Sequence, residues 1–80
     1  TSWFTYLTSD TGQAVAGLTP SQHAIRVVWP GSDRISDSAY LHELLHSAIW
    51  QGSGHPDTGH TLPVWQDVPA LNARLAAAGF

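Results

Sequence analysis

Five histidines and a single glutamate are the residues of this 80-residue chain whose types and spacing could do chemistry. Two of the histidines flank the glutamate in the run His42-Glu43-Leu44-Leu45-His46. Side chains four positions apart lie one turn apart on the same helical face, so both imidazoles can reach one ion at about 2.0–2.1 Å while the adjacent carboxylate points beside it. This is the H-E-x-x-H arrangement of zinc hydrolases, in which the histidines hold Zn2+ and the glutamate takes a proton from water as general base. Glu43 is therefore the expected catalytic residue, and His42 and His46 are expected metal ligands. The competing reading, two histidines that coincide with a short pattern, loses ground because an unpartnered carboxylate on an apolar helix is costly as mere structure.

A catalytic zinc needs a third protein ligand and one open position. The metzincin extension requires glycine at position 49 and histidine at position 52, which hold Ile49 and Gly52. A downstream glutamate ligand is excluded because the chain has no other glutamate. What remains is His55, Asp57 or His60 in the loop after the helix, with His23 upstream in a strand. A shell closed by both His55 and His60 would mark the alternative function, a zinc-binding structural or protein-interaction module without hydrolytic activity.

The elements that must position these residues can be read from pattern. Residues 3 to 8 are aromatic and β-branched, and the turn-rich Ser9 to Gly12 that follows predicts a hairpin back through Ala14 to Ala16. Pro20 and Ser21 punctuate the chain, and His23 to Trp29 is the clearest strand, closed by Pro30 and Gly31. Ser36 or Asp37 is the expected N-cap of the histidine helix, which should run to Trp50 or Gln51 and stop at Gly52. On that helix Leu41, Leu44, Leu45 and Ala48 share one side, and His42, Glu43, His46 and Trp50 share the other, which predicts a central, buried helix. A second helix is expected from Asp67, with Pro69 in its first turn and Gly79 at its end, beginning there or as early as Pro63. The large aromatics are expected in the core, Trp50 being the one placed to meet the histidines.

Here a resemblance enters. His42-Glu43-Leu44-Leu45-His46-Ser47-Ala48-Ile49-Trp50, then a polar loop, then Gly59-His60 and Trp65, resembles the metallopeptidase core of the SprT-like (Spartan-related) proteins over residues 36 to 78. The resemblance implies that His60 is the third zinc ligand, that the fold is an α+β, zincin-like minimal metallopeptidase, and that the reaction is hydrolysis of peptide bonds in a polypeptide substrate. The expected architecture is one domain over 1–80, with a small N-terminal sheet packed on the active-site helix and a C-terminal helix behind. By analogy with such folds, the strand at 23–29 would take extended substrate on its edge.

Composition sets the remaining bounds. With no cysteine, disulfides and thiolate zinc sites are excluded. Three arginines, no lysine and a net charge of −3 leave no electrostatic footprint for nucleic acid or anionic membrane, so neither is an expected partner of this domain alone. No apolar run approaches the roughly 20 residues of a membrane span, and a soluble domain is expected, with the cytoplasm the favoured compartment. The chain opens on Thr1 without a leading methionine or signal peptide, which predicts a processed form or a domain excised from a longer chain. Oligomeric state leaves no trace in the sequence.

Overall fold

The computed structural model describes residues 1–80. It is α+β: a three-stranded sheet of β1 (Ser2–Phe4), β2 (Gly17–Ser21) and β3 (Ala24–Val28), then helices α1 (Tyr40–Ser53) and α2 (Val68–Ala77). Single 3-10 turns, Ile35–Asp37 and Pro63–Asp67, precede the two helices. No helix is long and apolar enough to cross a membrane.

The sheet order is β1-β3-β2, with β3 antiparallel to β2 and parallel to β1. The strand expected at 23–29 thus forms as β3, and its alternation places Ile25 and Val27 inward, the latter with no exposed surface. Because β3 is paired on both sides, it cannot accept substrate as a further strand; the open edge beside the helix belongs to β2. The proline that reads as punctuation lies inside β2, where the ladder slips between Leu18 and Ser21. A proline is tolerated there because an edge strand has one side whose N–H groups need no ladder partner.

The predicted N-terminal hairpin is reduced to one antiparallel bridge, Thr8 to Ala14, supported by the Val15 N–H donating to the Leu7 carbonyl at 3.1 Å. Residues 2–4 pair instead in parallel with β3, and the long excursion back through β2 supplies the crossover length that parallel pairing requires. Nor are all the aromatics core. Trp3 is 40% exposed and Trp29 46% exposed, and they pack on each other edge to face at 5.6 Å. The helix α1 packs on β2 and β3, so the outer strand β1 is covered less and its aromatics stay partly exposed.

Helix α1 begins later than its capping residues suggest. Ser36 is occupied by the C-terminal segment: its N–H donates to the Phe80 carbonyl at 2.9 Å and its carbonyl accepts from Asn72 Nδ2 at 2.8 Å. The Asp37 carboxylate accepts from Ser32 Oγ at 2.7 Å. The N-cap is Ala39, which has no capping side chain, and the Ser38 hydroxyl just before it accepts from the Tyr40 N–H at 3.2 Å. At the far end Gly52 stays helical, and Gly54, at φ 86°, supplies the left-handed residue that ends the helix.

The polar side of α1 packs on β2 and β3, anchored by Ser47 Oγ and Gln51 Nε2, which both donate to the Gln22 carbonyl in the β2–β3 turn. The leucine side is less covered than a fully buried helix requires. It opens into an apolar groove of about 170 Å³ shared with Val64, Val68 and Leu71, and Leu44 is 38% exposed. Helix α2 accounts for this by resting chiefly on the Ile35–Asp37 turn, where Arg34 Nη2 donates to the Ala76 carbonyl at 2.8 Å. Only Leu7, Ile25 and Val27 are buried apolar residues, whereas Glu43, His46, Ser47 and Asp57 are buried and polar. The interior is therefore organised around polar contacts as much as around apolar burial, which leaves a small domain in need of a staple.

Candidate metal centre

One turn of α1 separates His42 from His46, and the helix aims both rings toward the loop that follows. His60 meets them from that loop: its Nε2 lies 3.1 Å from His42 Nε2 and 3.1 Å from His46 Nε2. All three ligating atoms fall within 4.8 Å of one another. Ligands at about 2.0–2.1 Å around a tetrahedral ion stand about 3.3 Å apart, so the spacing suits one zinc-sized cation.

The proton on His46 is compatible with the same reading. His46 Nδ1 lies 2.7 Å from the Pro56 carbonyl, which can only accept, so Nδ1 carries the hydrogen and Nε2 presents a lone pair. Burial holds the His42 imidazole below its ordinary pKa, with His46 and His60 pushing the same way and Glu43 opposing. Both 3.1 Å contacts run through His60 Nε2, so a hydrogen or a cation must lie between the nitrogens there. A hydrogen on His60 Nε2 shared between the other two Nε2 atoms satisfies both contacts, and so does one cation held by all three rings.

Glu43 is buried beside this cluster, its Oε2 3.8 Å from His42 Nε2. Two residues of β2 place it. Thr19 Oγ1 lies 3.0 Å from both Glu43 Oε1 and the Glu43 carbonyl. Gly17 leaves the space the side chain occupies, since a Cβ there would stand 2.6 Å from Glu43 Cγ. His42, Glu43 and His46 line a cleft of about 690 Å³ bounded by β2 and by Pro56 and Thr58 of the loop, with Asp10 and Arg26 also on its wall.

The other sequence candidates fall elsewhere. His55 is exposed and lines neither the cluster nor the cleft, and His23 is exposed in the β2–β3 turn. Asp57 is buried with its carboxylate turned into the loop. The Thr61 hydroxyl above all, then the backbone N–H groups of Thr61 and Leu62 and the Trp65 indole, hold that carboxyl well below the usual carboxylate range, against the opposing effect of burial. The aromatic that meets the histidines is Trp65 and not Trp50, with ring centroids 4.9, 4.4 and 4.5 Å from His42, His46 and His60. Tyr40 stacks on Trp3, away from the cluster.

Gly17, Thr19, Pro56 and the structural part of Asp57 escape a reading of pattern. Gly17 and Thr19 act on a residue 24 or more positions away, and Pro56 acts through its carbonyl, which side-chain type does not reveal. Asp57 alone leaves a local signal, an aspartate four residues ahead of a threonine across a glycine-bearing turn. A scan against protein-family models, a search of curated proteins and a search of solved structures each returned no match.

Proposed function

We propose that this domain is a zinc-dependent peptidase of the zincin type, as its resemblance to the SprT-like proteins implies, with a polypeptide as substrate. The observation that carries the reading is the convergence of three imidazole Nε2 atoms through two 3.1 Å contacts, with the only glutamate of the chain buried beside them at the wall of a cleft. His42, His46 and His60 would hold the ion, and no fourth side chain joins them, which leaves room for water. A zinc ion in such a set supplies Lewis acidity and brings the pKa of water down toward about 7.

The chain's own residues do the rest. Glu43 takes the proton of the attacking water and delivers it to the leaving amine. The Thr19 hydroxyl engages Oε1, so Oε2, on the His42 side, is the oxygen free for that exchange. The Pro56 carbonyl holds the His46 ring in the tautomer a ligand needs. The unpaired edge of β2 lies along the cleft and offers main-chain groups to an extended peptide, the task sequence analogy gave to the central strand. A net charge of −3 gives no reason to expect nucleic acid or membrane as a partner of this domain.

The test uses protein purified without a histidine tag. One zinc per chain is expected, and zinc at about 100 times its Kd should raise Tm by about 10–20 °C in a domain of this size. Glu43→Gln should keep its zinc and lose roughly 100- to 10,000-fold in turnover of an unfolded protein such as casein. Zinc-free wild type overturns the metal site, equal turnover by the glutamine variant overturns Glu43 as the base, and zinc-loaded wild type without turnover favours a structural zinc module.

A further inference from the structure

His60 reaches the cluster from a segment with no backbone ladder of its own, since residues 54 to 62 contain neither helix nor strand. Two of its non-glycine residues, Asp57 at φ 55° and His60 at φ 53°, adopt the left-handed conformation. Such residues persist only where their surroundings over-determine them. Here one side chain does so. Asp57 Oδ1 accepts from Thr61 Oγ1 at 2.7 Å and from the Thr61 N–H at 3.1 Å. Its Oδ2 accepts from the Thr61 and Leu62 N–H groups at 3.0 and 3.1 Å and from Trp65 Nε1 at 2.7 Å. The Asp57 carbonyl accepts from the His60 N–H at 2.9 Å.

A carboxylate offers about four acceptor positions, and these bonds use them, so Asp57 has none left for an ion. Its bonds fall on the residues around His60 instead, including the tryptophan whose ring backs all three imidazoles. We propose that Asp57 is the positioning residue of the metal centre: its carboxylate winds residues 57 to 65 into a frame that holds His60 Nε2 against His42 and His46 before any ion arrives. The consequence for affinity rests on the zinc reading above, whereas the winding of the loop does not. A loop already wound is not ordered at the moment of binding, and the cost of that ordering is removed from the binding step.

The decisive experiment compares the whole wild-type chain with Asp57→Asn, which keeps the size of the side chain but turns an amide donor toward N–H groups. In metal-free protein, NMR contacts between the His60 and Trp65 rings are expected in the wild type and lost in the variant, while far-UV circular dichroism stays unchanged. In chelator competition the variant should bind zinc roughly 10- to 100-fold more weakly. With cobalt in place of zinc, its visible d–d absorption should weaken as a four-coordinate site opens to more water. A general loss of stability would not move the cobalt spectrum of the folded fraction. Thr61→Val and Trp65→Phe each remove one donor and should weaken zinc by a smaller factor; they decide the matter if Asp57→Asn does not fold. Retained ring contacts with zinc affinity within twofold of wild type in Asp57→Asn, or in both donor variants, overturn the proposal. If the wild type takes up no zinc, the metal reading fails by itself and the ring contacts of the metal-free protein still decide whether Asp57 positions His60.

Discussion

His42 and His46 stand on α1, whose backbone ladder fixes their separation, whereas His60 stands on a loop held by side-chain bonds to Asp57. The two regions deliver nitrogens to the same point by different means. In the helix the spacing of residues in sequence is itself the geometry, because every residue turns by about 100° and rises by about 1.5 Å. In the loop sequence spacing says little, because two left-handed residues reverse the chain between Asp57 and His60. A site built this way has one half that tolerates change in its neighbours and one half that depends on a single hub.

Removing a ligand from the loop half tests that contrast most severely. Structural zinc sites bind with about 10–16 kcal/mol, or about 3–4 kcal/mol per ligand, so His60→Ala is expected to weaken zinc roughly 100- to 1000-fold. His55→Ala, at an exposed position outside the cluster, should stay within about twofold. Isothermal titration of both variants makes the comparison. Equal losses would mean that the loop threads differently and that His55 can replace His60.

The helix half is sharpened by a residue that is not on the helix. Gly17→Ala would place a Cβ 2.6 Å from Glu43 Cγ, too close for both to stay. If Glu43 is the general base proposed above, displacing it by about 1 Å can cost on the order of 100-fold in rate, and the variant should lose that much kcat while binding zinc as before. Thr19→Val removes only the hydroxyl bonded to Oε1 and should cost less, about tenfold. Zinc loss in Gly17→Ala would show that β2 supports the ligands as well as the base, and the division between the halves would fall.

The same contrast explains how much could be read without coordinates. The histidine helix, the central strand and the C-terminal helix follow from periodicity, and the pair His42 and His46 with Glu43 follows from helical spacing. The start of α1 shifts because Ser36 spends its backbone groups on Asn72 and Phe80, more than 35 residues away. The N-terminal hairpin dissolves because β3 offers Ser2–Phe4 a partner that local turn chemistry does not reveal. His60 was a candidate on motif resemblance, while the residues that hold it in place carry no periodic mark. Trp65 illustrates the limit: its type predicts burial, yet its position depends on an indole N–H bonded to a carboxylate eight residues earlier.

Acid should take the two regions apart in separate steps, the smallest of the expected effects. Burial lowers the His42 pKa from 6.5 in the folded protein, so the neutral His42 ring contributes stability that is complete above that value and lost as pH falls through the lowered one. The Asp57 carboxyl is also lowered, from 3.8, so its contribution is complete above that value and is lost only as pH falls further. Metal-free protein titrated from pH 7.5 to 3 should therefore first show imidazole shifts at His42, while the Trp65 indole proton keeps the chemical shift of its bond to Asp57. That signal should move only below about pH 3.8, after the His42 resonances have shifted. If the indole signal moves together with the imidazoles, the loop is held by the histidines and not by the carboxylate, and the hub loses its independence from the helix.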